Sequence, residues 1–326
     1  MAGLHWNDDE LQRRSLSISD PGEQDGLIPR MPEGAALIGV ENTYQLSKSM
    51  PKARCAKCGR AIHWSGWTGL LSSGDCVLLG KKCGGDAFGS WDDATAELEA
   101  KRSRQFSLRR LKTLQENRLA ILAMLPPWQV AARTADQLRG QIEVSTPELF
   151  AALSAAVQIG SLNAHRRIQV RNVGRSGMKT SVKWQEESFG PFVGARWFAC
   201  GRASLKPEMV VTALDEVHRV LSGDTNLLAS KELKAVRDRV DAALAAMQLL
   251  LEGLSSLQAT FERRGVDQLG RWSAADARPE IGRITQVANG FAASGATFIL
   301  PVDYQVPSAG LLGALEYARF DVANDD

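Results

Sequence analysis

The chain has 326 residues, 44% of them apolar and 23% charged, enough for an ordinary buried core and for two or three domains. Its formal net charge of only +2 excludes a uniform polycation. The start of the chain is polar and acidic, unlike a secretory leader, and no run of about 18 apolar residues occurs, so the expectation is a cytoplasmic protein with no membrane partner.

Residues 1–50 are polar and carry Pro21, Gly22, Pro29, Pro32 and Gly34. They read as an N-terminal extension with little regular structure. From Asn42 to Gly74 there is no acid, while Lys48, Lys52, Arg54, Lys57 and Arg60 are present. This is the first of two basic stretches that the balanced total conceals.

Residues 51–90 form a cysteine module holding four of the five cysteines. Cys55-x2-Cys58-Gly59 has knuckle spacing: the turn aims two thiolates at one point, and the glycine lets the chain curl behind them. Such crowding in a short segment favours a metal over a disulfide framework and fits a reducing compartment. Cys83 is the third ligand, just before Gly84-Gly85. Residues 61–71 and 75–80 read as a hairpin around Ser72–Gly74, with His63 on its leaving strand and Cys76 on its returning strand. Either can be the fourth ligand.

The order Cys55, Cys58, His63, Gly66-Trp67, Gly80, Cys83-Gly84, Phe88-Gly89 resembles a zinc-finger module, of zinc-ribbon or treble-clef type, found in uncharacterised bacterial and phage proteins. The resemblance covers about a tenth of the chain and implies His63 as the fourth ligand, with Cys76 as the alternative. Three thiolates and an imidazole close the site, so the expected cofactor is a structural Zn2+ and iron–sulfur binding is disfavoured. Lys57, Arg60, Lys81 and Lys82 would then be displayed on a rigid platform, with Trp64 and Trp67 nearby for stacking on bases.

Residues 91–126 read as a basic linking helix, from about Asp92 to Leu125, stopped by Pro126-Pro127. Its middle, KRSRQFSLRRLKTLQENR, has seven basic residues and one acid. A solvated face explains those charges as readily as a ligand does.

Residues 127–186 have the rhythm of two helices and a hairpin. Thr134 is the expected cap of a helix carrying Ala135, Leu138 and Ile142, and Thr146-Pro147 starts a second with Leu149, Phe150, Leu153 and Val157. Two alternating runs flank Gly174–Gly177. The pattern resembles winged helix-turn-helix DNA-binding domains. Its second helix is a poor base reader, because Glu148, Ala151, Ala152, Ser154 and Ala155 face outward. The charge lies on the wing, at Arg166, Arg167, Arg171, Arg175, Lys179 and Lys183, which suits backbone contact.

Residues 187–326 are expected to be mainly helical. Across 229–264, Leu233, Val236, Val240, Ala243, Met247, Leu250, Leu254 and Leu257 alternate spacings of three and four, a heptad seam for an internal helical hairpin or a short coiled coil.

The expected fold class is therefore mainly α with small β parts (α+β). No HExxH, GxSxG or GxGxxG occurs, and GDCVLLGKK departs from a phosphate loop in its glycine spacing and in Lys82. The expected function is non-enzymatic nucleic-acid binding, with DNA the preferred partner, in a bacterium, phage or mobile element. A homodimer or protein partner is expected through the C-terminal helices. The competing expectation is a scaffold or adaptor in which the basic runs are solvated surface.

Overall fold

The structure, a computed structural model, describes residues 4–174 and 177–320. Helices dominate and the described strands gather into small sheets, an α+β fold. The chain divides into two compact units. The first comprises Met1–Asn117, Leu214–Arg239 and Glu316–Asp326, and the second comprises Arg118–Ala213 and Val240–Leu315.

The first unit begins with α1 (Asp8–Arg13), fixed by a reciprocal cap: the Asn7 side chain accepts from the Glu10 N–H, and the Glu10 carboxylate accepts from the Asn7 N–H. Next come β1 (Ser17–Ile18), β2 (Leu37–Gln45), β3 (Ala53–Arg54), β4 (Ala61–His63), β5 (Ser65–Leu71) and β6 (Cys76–Leu79). Helices α2 (Lys81–Ala87) and α3 (Trp91–Glu116) follow. One sheet has the order β1-β2-β5-β6, and β3-β4 is a separate ribbon.

The first fifty residues thus contribute a helix and two strands where an irregular extension was expected. The polar run Glu41-Asn42-Thr43 disguised β2. Asn42 is nonetheless buried, and its amide nitrogen enters the sheet with a partner, donating to Gln24 Oε1 at 3.0 Å. Leu11, Leu16, Val40, Leu71, Val77, Leu79, Trp91 and Leu98 form the core, with Trp67 edge-on to Trp91. Each such leucine contributes roughly 2 kcal/mol of burial free energy.

The expected 92–125 helix is interrupted. α3 ends at Glu116 and α4 (Arg118–Ala123) is a short piece. Pro126 and Pro127 do not stop a helix but occupy the first turn of α5 (Leu125–Ser145), where a missing N–H leaves no bond unmade. Thr134 is accordingly not a cap: it lies within α5, donating its hydroxyl to the Val130 carbonyl at 3.2 Å. Thr146 alone joins α5 to α6 (Pro147–Ile159). The hairpin of β7 (Asn163–Gly174) and β8 (Gly177–Ser188) stands as a two-stranded ribbon.

After the ribbon, the aromatic-rich segment GARWFACG forms the short helix α7 (Ala195–Ala199). Then come α8 (Leu205–Leu221), α9 (Ser230–Phe261) and α10 (Arg263–Ala275). The sheet β9 (Thr285–Val287), β10 (Gly290–Ala293) and β11 (Ala296–Ile299) precedes α11 (Gly310–Phe320). Trp272 on α10 donates its indole N–H to the Asn163 carbonyl at the base of the ribbon, and Ala277 N–H donates to His165 O.

All eight heptad residues of α9 are buried by the chain itself. By length and composition α9 is apolar enough to cross a membrane, yet its seam is covered as in a core helix.

Candidate metal centre

The knuckle is built by backbone geometry. After β3 the chain turns at Cys55–Arg60, where Cys55 N–H donates to Arg60 O at 3.0 Å and Gly59 N–H donates to Cys55 O at 2.9 Å. Gly59 has φ +71°, a left-handed conformation that glycine adopts at no steric cost. Ala56 is tied to the sheet by donating to the Leu78 carbonyl, and its own carbonyl accepts from Met31 N–H. The turn is thus anchored on both sides, and the N-terminal segment supplies one of the anchors.

The third cysteine comes from α2, whose first turn holds Lys81, Lys82 and Cys83. The Sγ atoms of Cys55, Cys58 and Cys83 all lie within 4.8 Å of one another, so this trio can hold a metal ion. Tetrahedral zinc with Zn–S bonds of about 2.3 Å needs sulfurs about 3.8 Å apart, which that grouping accommodates. Cys55 is buried, Cys58 exposed and Cys83 half-buried, so the cluster opens towards solvent on one side.

The thiols are electrostatically unequal. The Arg60 N–H bonds to Cys58 sulfur and holds its pKa below the usual thiol value, with further help from Cys55, Cys83 and the Arg60 charge. Burial pushes Cys83 up to about 11, and the adjoining Cys55 and Cys58 thiols add to the rise. Crowded sulfurs cannot all ionise without a cation between them. The donor chemistry therefore suits a divalent soft metal, which takes the place of the protons.

His63 closes β4, opposite Ala53. Its Nε2 is buried with no hydrogen-bond partner. The ring lies against Gly80, the residue that begins α2 three positions before Cys83. No fourth ligand atom, from His63 or from any other described residue, falls inside the 4.8 Å group. Cys76 lies elsewhere, on β6: its thiol faces Glu41 Oε2 at 3.4 Å and Gln24 Nε2 at 3.8 Å. Burial and the Glu41 carboxylate push its pKa up to about 12, so it is held as a neutral thiol.

The basic residues expected to contact nucleic acid take different positions. Lys57, Arg60, Lys81 and Lys82 are exposed around the cysteine trio, with Lys57 3.7 Å from Asp86. Two lysines in the first turn of α2 oppose the helix dipole. A three-thiolate zinc centre carries net negative charge, which would offset that cost. Lys52 sits over Trp64 at 4.2 Å on the surface, whereas Trp67 enters the core.

On the ribbon, Arg166 pairs with Glu187 at 2.8 Å and Arg167 lies over the exposed ring of Trp184 at 4.9 Å. Lys183 is exposed opposite Ile168. Arg171 registers with Thr180 and Lys179 with Asn172. Arg175 lies outside the described residues. The exposed positions of α6 include Glu148, Ala151 and Ala155, none of them basic.

Comparison with protein-family models, with curated proteins and with solved structures gave no match.

Proposed function

We propose that the protein is a non-enzymatic nucleic-acid-binding protein whose first unit is held together by a structural zinc ion. The observation that carries the reading is the convergence of Cys55, Cys58 and Cys83 sulfurs from a knuckle and a helix start. His63 is the fourth ligand in this reading, since its buried nitrogen otherwise lacks any partner. Bound zinc would supply cross-linking between β3, β4 and α2 and would neutralise the thiolates.

The basic residues around the centre serve two ends. They compensate its charge, and they face outward for phosphate. The ribbon adds Arg166, Arg167 and Lys183 beside an exposed indole, a combination suited to backbone contact and stacking. DNA is the preferred partner, since the two helices and ribbon of 125–188 follow the element order of winged-helix domains.

A second reading is supported by the acids on the ribbon. Glu187 partly neutralises Arg166, and Glu186 lies 3.4 Å from His165. With Val182 and Trp184 exposed, such a surface also suits a protein partner.

A titration of the full chain with duplex DNA, single-stranded DNA and RNA across salt separates the two. Nucleic-acid binding predicts affinity falling steeply with salt, by about 0.9 decades per decade of salt for each duplex phosphate contacted. Absence of binding to all three at low salt would overturn the first reading.

A further inference from the structure

The arginine-rich middle of α3 was legible as a charge run but not as a site. The structure brings a second pair of arginines to it. Gln105, buried on α3, donates its amide to both Leu11 O at 2.5 Å and Arg14 O at 2.7 Å. This fixes the end of α1 and the turn after it against α3. Between that turn and α3 lies a cleft of about 440 Å³.

Arg13 and Arg14 line one side of the cleft, and Arg102 and Arg109 the other. Glu99 is the single acid among the lining residues, 3.2 Å from Arg102. Arg13 donates to the Asp9 carbonyl, a contact that orients a guanidinium without cancelling its charge, and Arg109 donates to the Gln12 carbonyl. Arg14 lies over the Trp6 ring at 4.5 Å. Phe106 adds an apolar wall. Arginines on both walls of an open polar cleft suit phosphate, which accepts bidentate arginine bonds. The volume exceeds a lone phosphate and suits a nucleotide-sized segment.

We propose that the cleft between the Arg13–Ser17 turn and α3 binds phosphate groups of a nucleic-acid strand or nucleotide, gripped by Arg13, Arg14, Arg102 and Arg109. The choice of nucleic acid as the source rests on the function proposed above. The phosphate chemistry rests on the cleft alone.

The test uses the full chain with pyrophosphate in calorimetry and a fluorescent oligonucleotide, single-stranded and duplex, across salt. Two variants are compared. Arg13→Gln/Arg14→Gln removes two charges from exposed positions. Ser103→Glu puts an acid at an exposed lining position whose hydroxyl makes no bond of its own among those seen. Metal content and melting curves establish that both fold.

Expected for both variants is loss of pyrophosphate binding and oligonucleotide affinity at 50 mM salt lowered by about tenfold or more. The double variant also lowers the salt slope by about 2, one for each lost phosphate contact. Suppose instead that the variants bind oligonucleotide normally while Arg166→Gln/Arg167→Gln/Lys183→Gln abolishes binding. The cleft proposal is then overturned and the nucleic-acid reading stands. If pyrophosphate binds through the cleft but no oligonucleotide does, the site stands as one for small phosphate compounds and the nucleic-acid reading falls. Binding of neither probe overturns both.

Discussion

The His63 ring lies so close to Gly80 that a methyl group on residue 80 would fall 2.3 Å from Cε1 and 2.8 Å from Nε2. One strand residue and the residue opening a helix are thereby packed together beside the cysteine trio. Gly80→Ala is expected to displace the imidazole and weaken zinc binding by about 10- to 100-fold, the usual effect of disturbing the support of a ligand. His63→Ala should weaken it at least as much. A competition titration against a chelator measures both. Unchanged affinity in His63→Ala would remove His63 from the ligand set.

Cys76 provides the internal control. Its thiol is engaged by Glu41 and Gln24, away from the other three. Cys76→Ala is expected to retain a full equivalent of metal, whereas Cys55→Ser, Cys58→Ser and Cys83→Ser each lose it. Metal analysis of the four purified variants decides this. Loss of metal in Cys76→Ala alone would reverse the assignment.

Metal capture expels thiol protons, so apparent zinc affinity rises with pH. Cys83, pushed up to about 11, remains protonated at neutral pH without metal, whereas Cys58 is held below its ordinary value. The affinity is expected to climb at least about tenfold per pH unit between roughly pH 6 and 8, one decade for each proton released. Chelator competition at fixed ionic strength reads this. A flat profile contradicts thiolate ligation.

Asp8 tests the first unit apart from the metal. Burial alone would raise its pKa, but bonds from Arg104 at 2.6 and 2.9 Å overcome this and hold it below the usual carboxylate range. A lowered folded-state pKa contributes stability that is complete above the unfolded value of about 4 and is lost as the pH falls further. Arg104→Met strips the buried carboxylate of its ion-pair partner, leaving Thr225 and the more distant Lys112 charge to support it, and is expected to cost about 3 kcal/mol at pH 7. The cost should shrink towards pH 3 and in the Asp8→Asn/Arg104→Met pair. Urea melts at the two pH values measure it.

The α9 seam sets a fifth expectation. Leu250 is fully buried, and its neighbour Leu249 is 57% exposed. Leu250→Ala should cost about 2–5 kcal/mol through the cavity it leaves, while Leu249→Lys stays within about 0.5 kcal/mol. Equal losses in urea melts would mean that Leu249 is also covered, by a second chain.

The knuckle spacing of Cys55 and Cys58 and the partnership with Cys83 were visible because metal ligation restricts spacing tightly. The seam of α9 was visible because burial on a helix repeats every three to four residues. Three things stayed hidden. β2 escaped notice because buried Asn42 finds its partner in Gln24, eighteen residues away, which no local pattern records. The break after α3 was misplaced because prolines that can end one helix serve equally to begin the next, as Pro126 and Pro127 do in α5. The basic cleft was hidden for a like reason: Arg13 and Arg102 meet only once Gln105 has tied the first helix to the third.

The central claim is that one zinc ion organises the first unit. Elemental analysis of protein purified without added metal, followed by circular dichroism before and after chelation, tests it most directly. The account predicts one zinc per chain and loss of folded structure in the module when the metal is stripped. Metal-free protein with an unchanged spectrum and melting profile would contradict it.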